Sequence, residues 1–248
     1  MAIPRRSSRA ARDRSSIALT RWFKDGAFSR HWRVSRTLVI DCATEACSVA
    51  LFEGGTLIAG ADLIAGDFRV IGRGHAEQLV PMIAALPERG RASRIAVDIG
   101  PGSFTGIRVG LAAAKALALA WRAEVVGYGA LTLVAAMARG EAGGGTVEVA
   151  MTGGHGEWFV QRFAANGAAL GEPVSLSPEA AAAQNAADIT CGSQAEALHA
   201  LRGGSGRVLT LLPDARRFVL LDPAALIADP HPAYGRGPDA RLPASVAA

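Results

Sequence analysis

The feature that most constrains this chain is the stretch from Ala96 to Leu119, where Ala-Val-Asp-Ile-Gly-Pro-Gly-Ser-Phe-Thr-Gly runs on into Ile-Arg-Val-Gly-Leu and an alanine-rich tract. An apolar strand, Ile95 to Ile99, enters a turn from Gly100 to Gly106, and the turn opens a long Ala/Leu-rich helix. Gly100 and Gly102 admit positive φ and Pro101 fixes φ between them, so the turn is tight. Ser103 or Thr105 is placed to cap the helix, whose free amides then face beyond the carboxyl end of the strand. Such a junction is either a plain strand-to-helix turn or a cradle for phosphate or carboxylate. A P-loop needs Lys then Ser or Thr after the last glycine, and Ile107-Arg108 stands there instead. A nucleophile elbow needs glycines two places either side of Ser103, and Pro101 and Thr105 occupy those places. The turn alone supplies no catalyst.

At 248 residues and 50% hydrophobic content, the chain forms one large domain or two small lobes with an ample core. No unbroken apolar run is long enough for a bilayer, because charges are scattered throughout, and no membrane association is expected. Cys42, Cys47 and Cys191 are an odd number without a C-x-x-C pair. Reduced thiols in a cytoplasmic compartment are expected, rather than a disulfide framework or a zinc site. The charge is unevenly shared. Residues 1–36 hold nine Arg and Lys24 against Asp13 and Asp25, about +8, whereas the remainder holds sixteen Lys/Arg against twenty Asp/Glu, about −4. The basic tail reads as a disordered extension or an upstream start, with Val34 as the alternative first residue. An RNA-contacting arm with Trp22, Phe23 and Trp32 interleaved is the second reading, and a transit peptide the third.

The folded body is expected from Thr37. Strands are expected over Thr37–Asp41, Cys47–Phe52 and Thr56–Asp62, with a turn at Glu53-Gly54-Gly55. Gly66 to Gly74 reads as a polar loop and His75 to Leu86 as a helix with Leu79, Met82, Ile83 and Leu86 on one face. After the central helix come a strand at Glu124–Gly127, a helix over Leu131–Arg139 and a flexible break at Gly140–Gly145 that sets a lobe boundary, giving lobes 37–140 and 141–248. The second lobe begins with a hairpin, Thr146–Met151 and Glu157–Phe163. A helix capped by Ser177 with Pro178 at its first position follows. Asp188–Cys191, a helix from Ser193, Arg207–Leu211 and a Pro/Gly-rich wrap from Asp222 complete it. Antiparallel strands followed by helix and strand alternation imply a mixed α/β fold.

Asp41 ends the first strand, with Thr44 and Glu45 in the next turn. It is either an acid that terminates a strand by accepting turn amides or a phosphate- or metal-facing acid at the open end of a sheet. His75 opens a helix, but a metal pair on one helix face needs a second His one turn away, and that place holds Leu79. His31, His155, His199 and His231 show no ligand spacing, so no metal site is expected.

Three ordered blocks carry a family resemblance: Leu38 to Leu51 (Leu-Val-Ile-Asp-Cys-Ala-Thr-Glu-Ala-Cys-Ser-Val-Ala-Leu), Gly74 to Ile83 (Gly-His-Ala-Glu-Gln-Leu-Val-Pro-Met-Ile), and Gly100 to Leu111. Together they resemble TsaB, the non-catalytic subunit of the bacterial tRNA threonylcarbamoyladenosine machinery. The resemblance covers Leu38 to about Leu133. Gly156-Glu157 and Pro232-Ala233-Tyr234-Gly235-Arg236 are weaker echoes, while Thr152-Gly153-Gly154 and Tyr234-Gly235-Arg236 depart from the family pattern.

The resemblance implies an actin-like ASKHA fold of two lobes, each with a ribonuclease-H-like mixed sheet flanked by helices. It implies a scaffold that binds and activates TsaD, the threonylcarbamoyltransferase with a His-x-x-x-His metal helix, alongside the ATPase TsaE and with tRNA engaged indirectly through the complex. The partner-binding helices would present His75, Leu79, Met82, Arg108, Leu111, Ala114, Lys115 and Ala118. No cofactor is expected on this chain alone, with ATP or ADP entering within the complex. Asp41, Thr44, Glu45, Gly100, Gly102, Ser103, Thr105 and Gly106 form the candidate vestigial phosphate-facing set, weighed against structural use of the same residues. Self-association in the partner's absence is expected of exposed apolar helices. The alternatives are a stand-alone ASKHA-type ATP-using or peptidase-like enzyme, and an RNA-binding module driven by the tail.

Overall fold

The computed structural model describes residues 35–55, 58 and 60–235. The basic tail up to Val34, and Arg236 with all that follows it, lie outside the described residues. The first sheet is built from β1 (Arg36–Asp41), β2 (Ala46–Gly54), β3 (Ala61–Val70), β4 (Arg94–Asp98) and β5 (Glu124–Tyr128), in the order β5-β4-β1-β2-β3. β1, β2 and β3 pair antiparallel, while β1, β4 and β5 pair parallel. Helix α1 (His75–Ala85) connects β3 to β4, and α2 (Phe104–Trp121) connects β4 to β5. Helix α3 (Ala130–Ala142) then leads out of the lobe.

The second sheet repeats this plan. β6 (Val147–Thr152), β7 (Trp158–Phe163) and β8 (Val174–Leu176) are antiparallel, and β9 (Ile189–Cys191) and β10 (Arg207–Leu209) run parallel to β6, in the order β10-β9-β6-β7-β8. Helices α4 (Pro178–Ala182) and α5 (Ala195–Leu201) occupy the places of α1 and α2. Three antiparallel strands and two parallel ones, repeated with the same helix insertions, make the duplicated ribonuclease-H-like plan of the actin-like ASKHA fold. A 3₁₀ segment (Ala215–Leu220) then returns to the first lobe, and β11 (Ile227–Ala228) pairs with β5 at the far edge of the first sheet.

Both faces of β1 and β4 are covered, which is why these strands are unbroken apolar runs rather than alternating ones. Leu38, Ile40, Ile95 and Val97 join the core with Leu79, Met82, Ile107, Leu111 and Ala114 of α1 and α2. Val39 and Ala96 join Leu133 and Met137 of α3 and Phe218 of the 3₁₀ segment on the other face. α2 is 18 residues long with a mean hydropathy of 1.3, which meets the bare length and composition criteria for a membrane span. Its Ile107, Leu111, Ala114 and Ala118 nevertheless belong to the packed core, so it serves the fold as a sheet-covering helix.

Several expectations need correcting. The third strand runs from Ala61 to Val70, so half of the expected Gly66–Gly74 loop is strand; Thr56 and Leu57 lie outside the described residues. This edge strand keeps polar and apolar residues largely exposed, so it carries none of the alternation that marks a half-buried strand. α3 continues through Gly140 to Ala142 and ends on Gly143 with φ 80°, so the glycine break begins later than expected. Arg36 belongs to β1, where it pairs with Glu53 (2.9 Å) and Glu88 (2.8 Å). β8 and β11 are too short to leave a readable pattern.

The glycines of the central turn have two different reasons. Gly100 has φ 100°, as expected. Gly102 does not need a positive φ; a Cβ there would collide with the carbonyl oxygen of Ala43, and one on Gly106 would collide with that of Cys42. The amino end of α2 thus lies directly on the β1–β2 loop. Gly102→Ala and Gly106→Ala should each destabilise the protein by about 3 kcal/mol, since rigid backbone cannot yield as a side chain can. Gly110→Ala, whose Cβ would meet only side-chain atoms at 3.5–3.8 Å, should change the urea midpoint little. Equal midpoints for all three variants would refute the close-approach explanation.

Candidate functional site

Asp41 and Asp98 end two parallel neighbours, β1 and β4, whose register pairs Ile40 with Val97. Both acids therefore emerge at the same level and on the same face of the sheet. Both are buried, and the Tyr128 hydroxyl reaches in from β5, donating to Asp41 Oδ2 (3.1 Å) and lying 3.2 Å from the Ile40 carbonyl. The Gly100 amide donates to Asp98 Oδ1 (2.7 Å). The two carboxyls face each other, and a hydrogen bond between them requires one to keep its proton. Burial pushes Asp98 up to about 7, opposed by the donated amides and by Asp41. Burial and then the charge of Asp98 also push Asp41 well up, so the pair keeps a proton between its two carboxyls. Burial, followed by the charge of Asp41, also raises Tyr128.

The expected phosphate-facing set is therefore a closed structural junction. Ser103, not Thr105, caps α2, its Oγ accepting from the Gly106 amide (3.2 Å). The Ser103 amide donates to the Ala43 carbonyl (2.6 Å). Thr44 Oγ1 accepts from the Ala46 amide (3.2 Å), and Glu45 contributes its carbonyl to Ile71 and Gly72. Two amides at the start of the helix are thus committed to the chain's own acceptors, and both acids are shut from solvent. The residues present do not fit a bound nucleotide at this turn.

A metal also lacks its ligands. His75 is buried with Nε2 3.2 Å from the Ala46 carbonyl, and Leu79 one turn later is completely buried among apolar neighbours. Among the described residues no group of three or more His, Cys, Asp or Glu is placed to hold a metal. Cys42 and Cys47 lie with their sulfurs 3.7 Å apart across the mouth of the β1–β2 hairpin. Their mutual hydrogen bond, the largest influence on each, raises Cys42 and lowers Cys47.

The residues expected to meet a partner divide by face. His75, Leu79, Met82, Leu111, Ala114 and Ala118 point into the core, because the 3.6-residue stripe that marked them is the stripe the sheet buries. Lys115 is exposed. Arg108 is exposed but engaged: its guanidinium carbon lies 3.4 Å from the centre of the Phe104 ring, and its Nε donates to the Tyr234 hydroxyl (3.0 Å). The free face of the two helices instead carries Val80 (62% exposed), Leu119 (84%) and Phe104 (55%). Helical spacing in the sequence separates this face from the core face without saying which of the two faces outward.

A family model described as TsaD, tRNA N6-adenosine threonylcarbamoyltransferase, matches residues 69–175, which include α1, α2 and α3. The chain is 35% identical over 153 residues to the tRNA threonylcarbamoyladenosine biosynthesis protein TsaB of Escherichia coli (strain K12), across 58% of this chain and 63% of that protein. It is 36% identical over 103 residues to TsaB of Haemophilus influenzae, across 40% of this chain and 41% of that one. Over these stretches the chain is similar to TsaB. It thus spans less than two thirds of the length of those two TsaB proteins. Among solved structures, a Pseudomonas aeruginosa protein described as uncharacterized, with similarity to peptidase YEAZ, superposes with a TM-score of 0.66 at 27% identity, over 82% of this chain and all of that one. YeaZ from the same organism gives 0.62 at 29% identity, over 75% of this chain and 90% of its own. The extent of these superpositions carries the likeness into the second lobe, where the sequence echoes were weakest.

The paired acids of this TsaB-like chain should govern its pH response. A carboxyl whose pKa is raised in the folded state gives stability that is complete below its unfolded value near 4 and is lost as pH rises through the folded value. Stability should therefore fall from about pH 4 through about pH 7 as the paired acids, both raised in the folded state, lose their shared proton. Asp41→Asn reproduces the protonated acid, with a donor toward Asp98 and an acceptor for Tyr128. Urea titrations across this range should give a flatter pH profile for that variant than for the parent. An unchanged slope would remove the pair as its source.

Proposed function

We propose that this chain takes part in tRNA threonylcarbamoyladenosine biosynthesis as a non-catalytic scaffold that binds and activates a TsaD-type transferase. The observation that carries this reading is the chemistry of α1: Leu79 stands where the transferase would carry its second metal-binding His, and His75 is turned onto the Ala46 carbonyl. The helix keeps its place in the fold and cannot hold the metal. The exposed apolar face with Val80 and Leu119 gives such a chain something to offer a partner, since a soluble lobe keeps residues of that kind on its surface at a cost in solubility. On this reading TsaD docks on α1 and α2, TsaE joins the assembly, tRNA is engaged through the complex, and the chain works in the cytoplasm. The same face would pair with itself when TsaD is absent. ATP or ADP, where the assembly uses it, meets surfaces completed by the partners and not the closed Asp41 turn.

The decisive experiment is reconstitution of tRNA modification from the same genome's TsaD, TsaE and threonylcarbamoyl-adenylate synthase, with and without this chain. Modified adenosine should fall to background on omission and return in full with a form that begins at Val34. Unchanged modification on omission would favour a stand-alone enzyme, and loss with the shortened form would favour the tail as an RNA arm. In the same assay Leu119→Arg and Val80→Asp should weaken association with TsaD by roughly thirtyfold or more, the scale of an interface hot spot. Their thermal midpoints should stay close to that of the parent.

A further inference from the structure

A second site borders the far side of the central turn, away from the exposed helix face. A cavity of about 790 Å³ opens between α3, the loop after β7 and the returning chain around Leu221 to Ile227. Its size falls within the range of small-molecule sites. Ile99, Gly100 and Pro101 of the central turn form one wall, so the cavity borders the junction described above, but neither the β1–β2 loop nor the Thr152–Gly156 turn lines it. Ile99, Phe163 and Ala135 give it apolar walls.

Arg139 of α3 lines the same cavity; among the described residues its side chain makes no hydrogen bond or ion pair, and its Nε is shut from solvent without an acceptor. The backbone of Gly167 packs directly against the guanidinium. Gly167, with φ 91°, presses so closely on Nη1 that a Cβ would collide with it. The polar neighbours are otherwise committed: Gln161 donates to the Gly171 carbonyl (2.9 Å), and Asn166 Oδ1 accepts from the Ala168 amide (3.0 Å). Glu172 and Asp222 also line the cavity, but both are exposed and neither pairs with Arg139; Asp222 accepts from the Ala224 amide (2.8 Å). A seated guanidinium with no protein acceptor calls for an acceptor from outside, and its flat fork suits a carboxylate. The two rim carboxylates disfavour a doubly charged head group.

We propose that this cavity binds a small organic carboxylate, its charged head on Arg139 and its apolar body against Ile99 and Phe163. The test is titration of the isolated full chain with benzoate, phenyl phosphate and phenol at constant ionic strength, read by amide NMR. Benzoate should saturate and shift the Gly167 and Gly129 amides, phenyl phosphate should bind more weakly, and phenol should not bind measurably. Arg139→Ala should weaken benzoate at least tenfold. Arg139→Lys keeps the charge but loses the fork, and should weaken it by less; circular dichroism would confirm that both variants remain folded. No saturable benzoate binding would overturn the proposal, as would shifts confined to other amides, undiminished affinity in Arg139→Ala, or phenyl phosphate binding as tightly as benzoate.

Discussion

The contact on which the rest of this structure depends is the backbone-to-backbone approach of α2 to the β1–β2 loop. Gly102 and Gly106 lie on the carbonyls of Ala43 and Cys42, and the Ser103 amide donates to Ala43. With no side chain between them, the helix start, the strand end and the loop form one rigid corner. That corner sets the depth at which α2 crosses the sheet, and so decides which helical residues reach the core and which face outward.

Beneath this corner sit Asp41 and Asp98, held by Tyr128 and the Gly100 amide. Two buried carboxyls side by side are costly unless they share a proton; Tyr128 and the Gly100 amide satisfy one oxygen of each, and Asp41 Oδ1 and Asp98 Oδ2 are left to each other. In a chain whose likeness is to TsaB, this marks a division of labour within one architecture. The strand ends and the glycine turn act as structure, while the apolar surface left exposed is the outer face of the helices that cover the same sheet.

The two lobes differ in how they are finished. The first leaves an apolar outer face on α1 and α2, whereas the second fixes its shorter helices to its sheet with a buried ion pair, in which Arg202 binds Glu148 and the carbonyls of Ala181 and Ala182. The returning chain ties the lobes together through β11 on β5 and through the Ala233 amide on the Ile99 carbonyl (2.8 Å). The Arg139 cavity exists because that return leaves space between α3 and the second sheet.

Much of this was determined by the sequence alone. The apolar runs ending in Asp41 and at Asp98, the glycine turn, the Ser103 and Ser177 caps and the amphipathic α1 are local consequences of residue type, and they were legible with the family likeness they carry. The pairing of Asp41 with Asp98 left a trace, two apolar strands each closed by an acid, but only parallel register brings the two to one level. The closure of the turn, the outward face of α1 and α2, and the free guanidinium of Arg139 depend on contacts between residues far apart in the chain. Helical and strand periods define faces without assigning them to core or solvent, and a glycine's role, left-handed angle or close approach, follows from what packs against it. Those decisions belong to the tertiary structure.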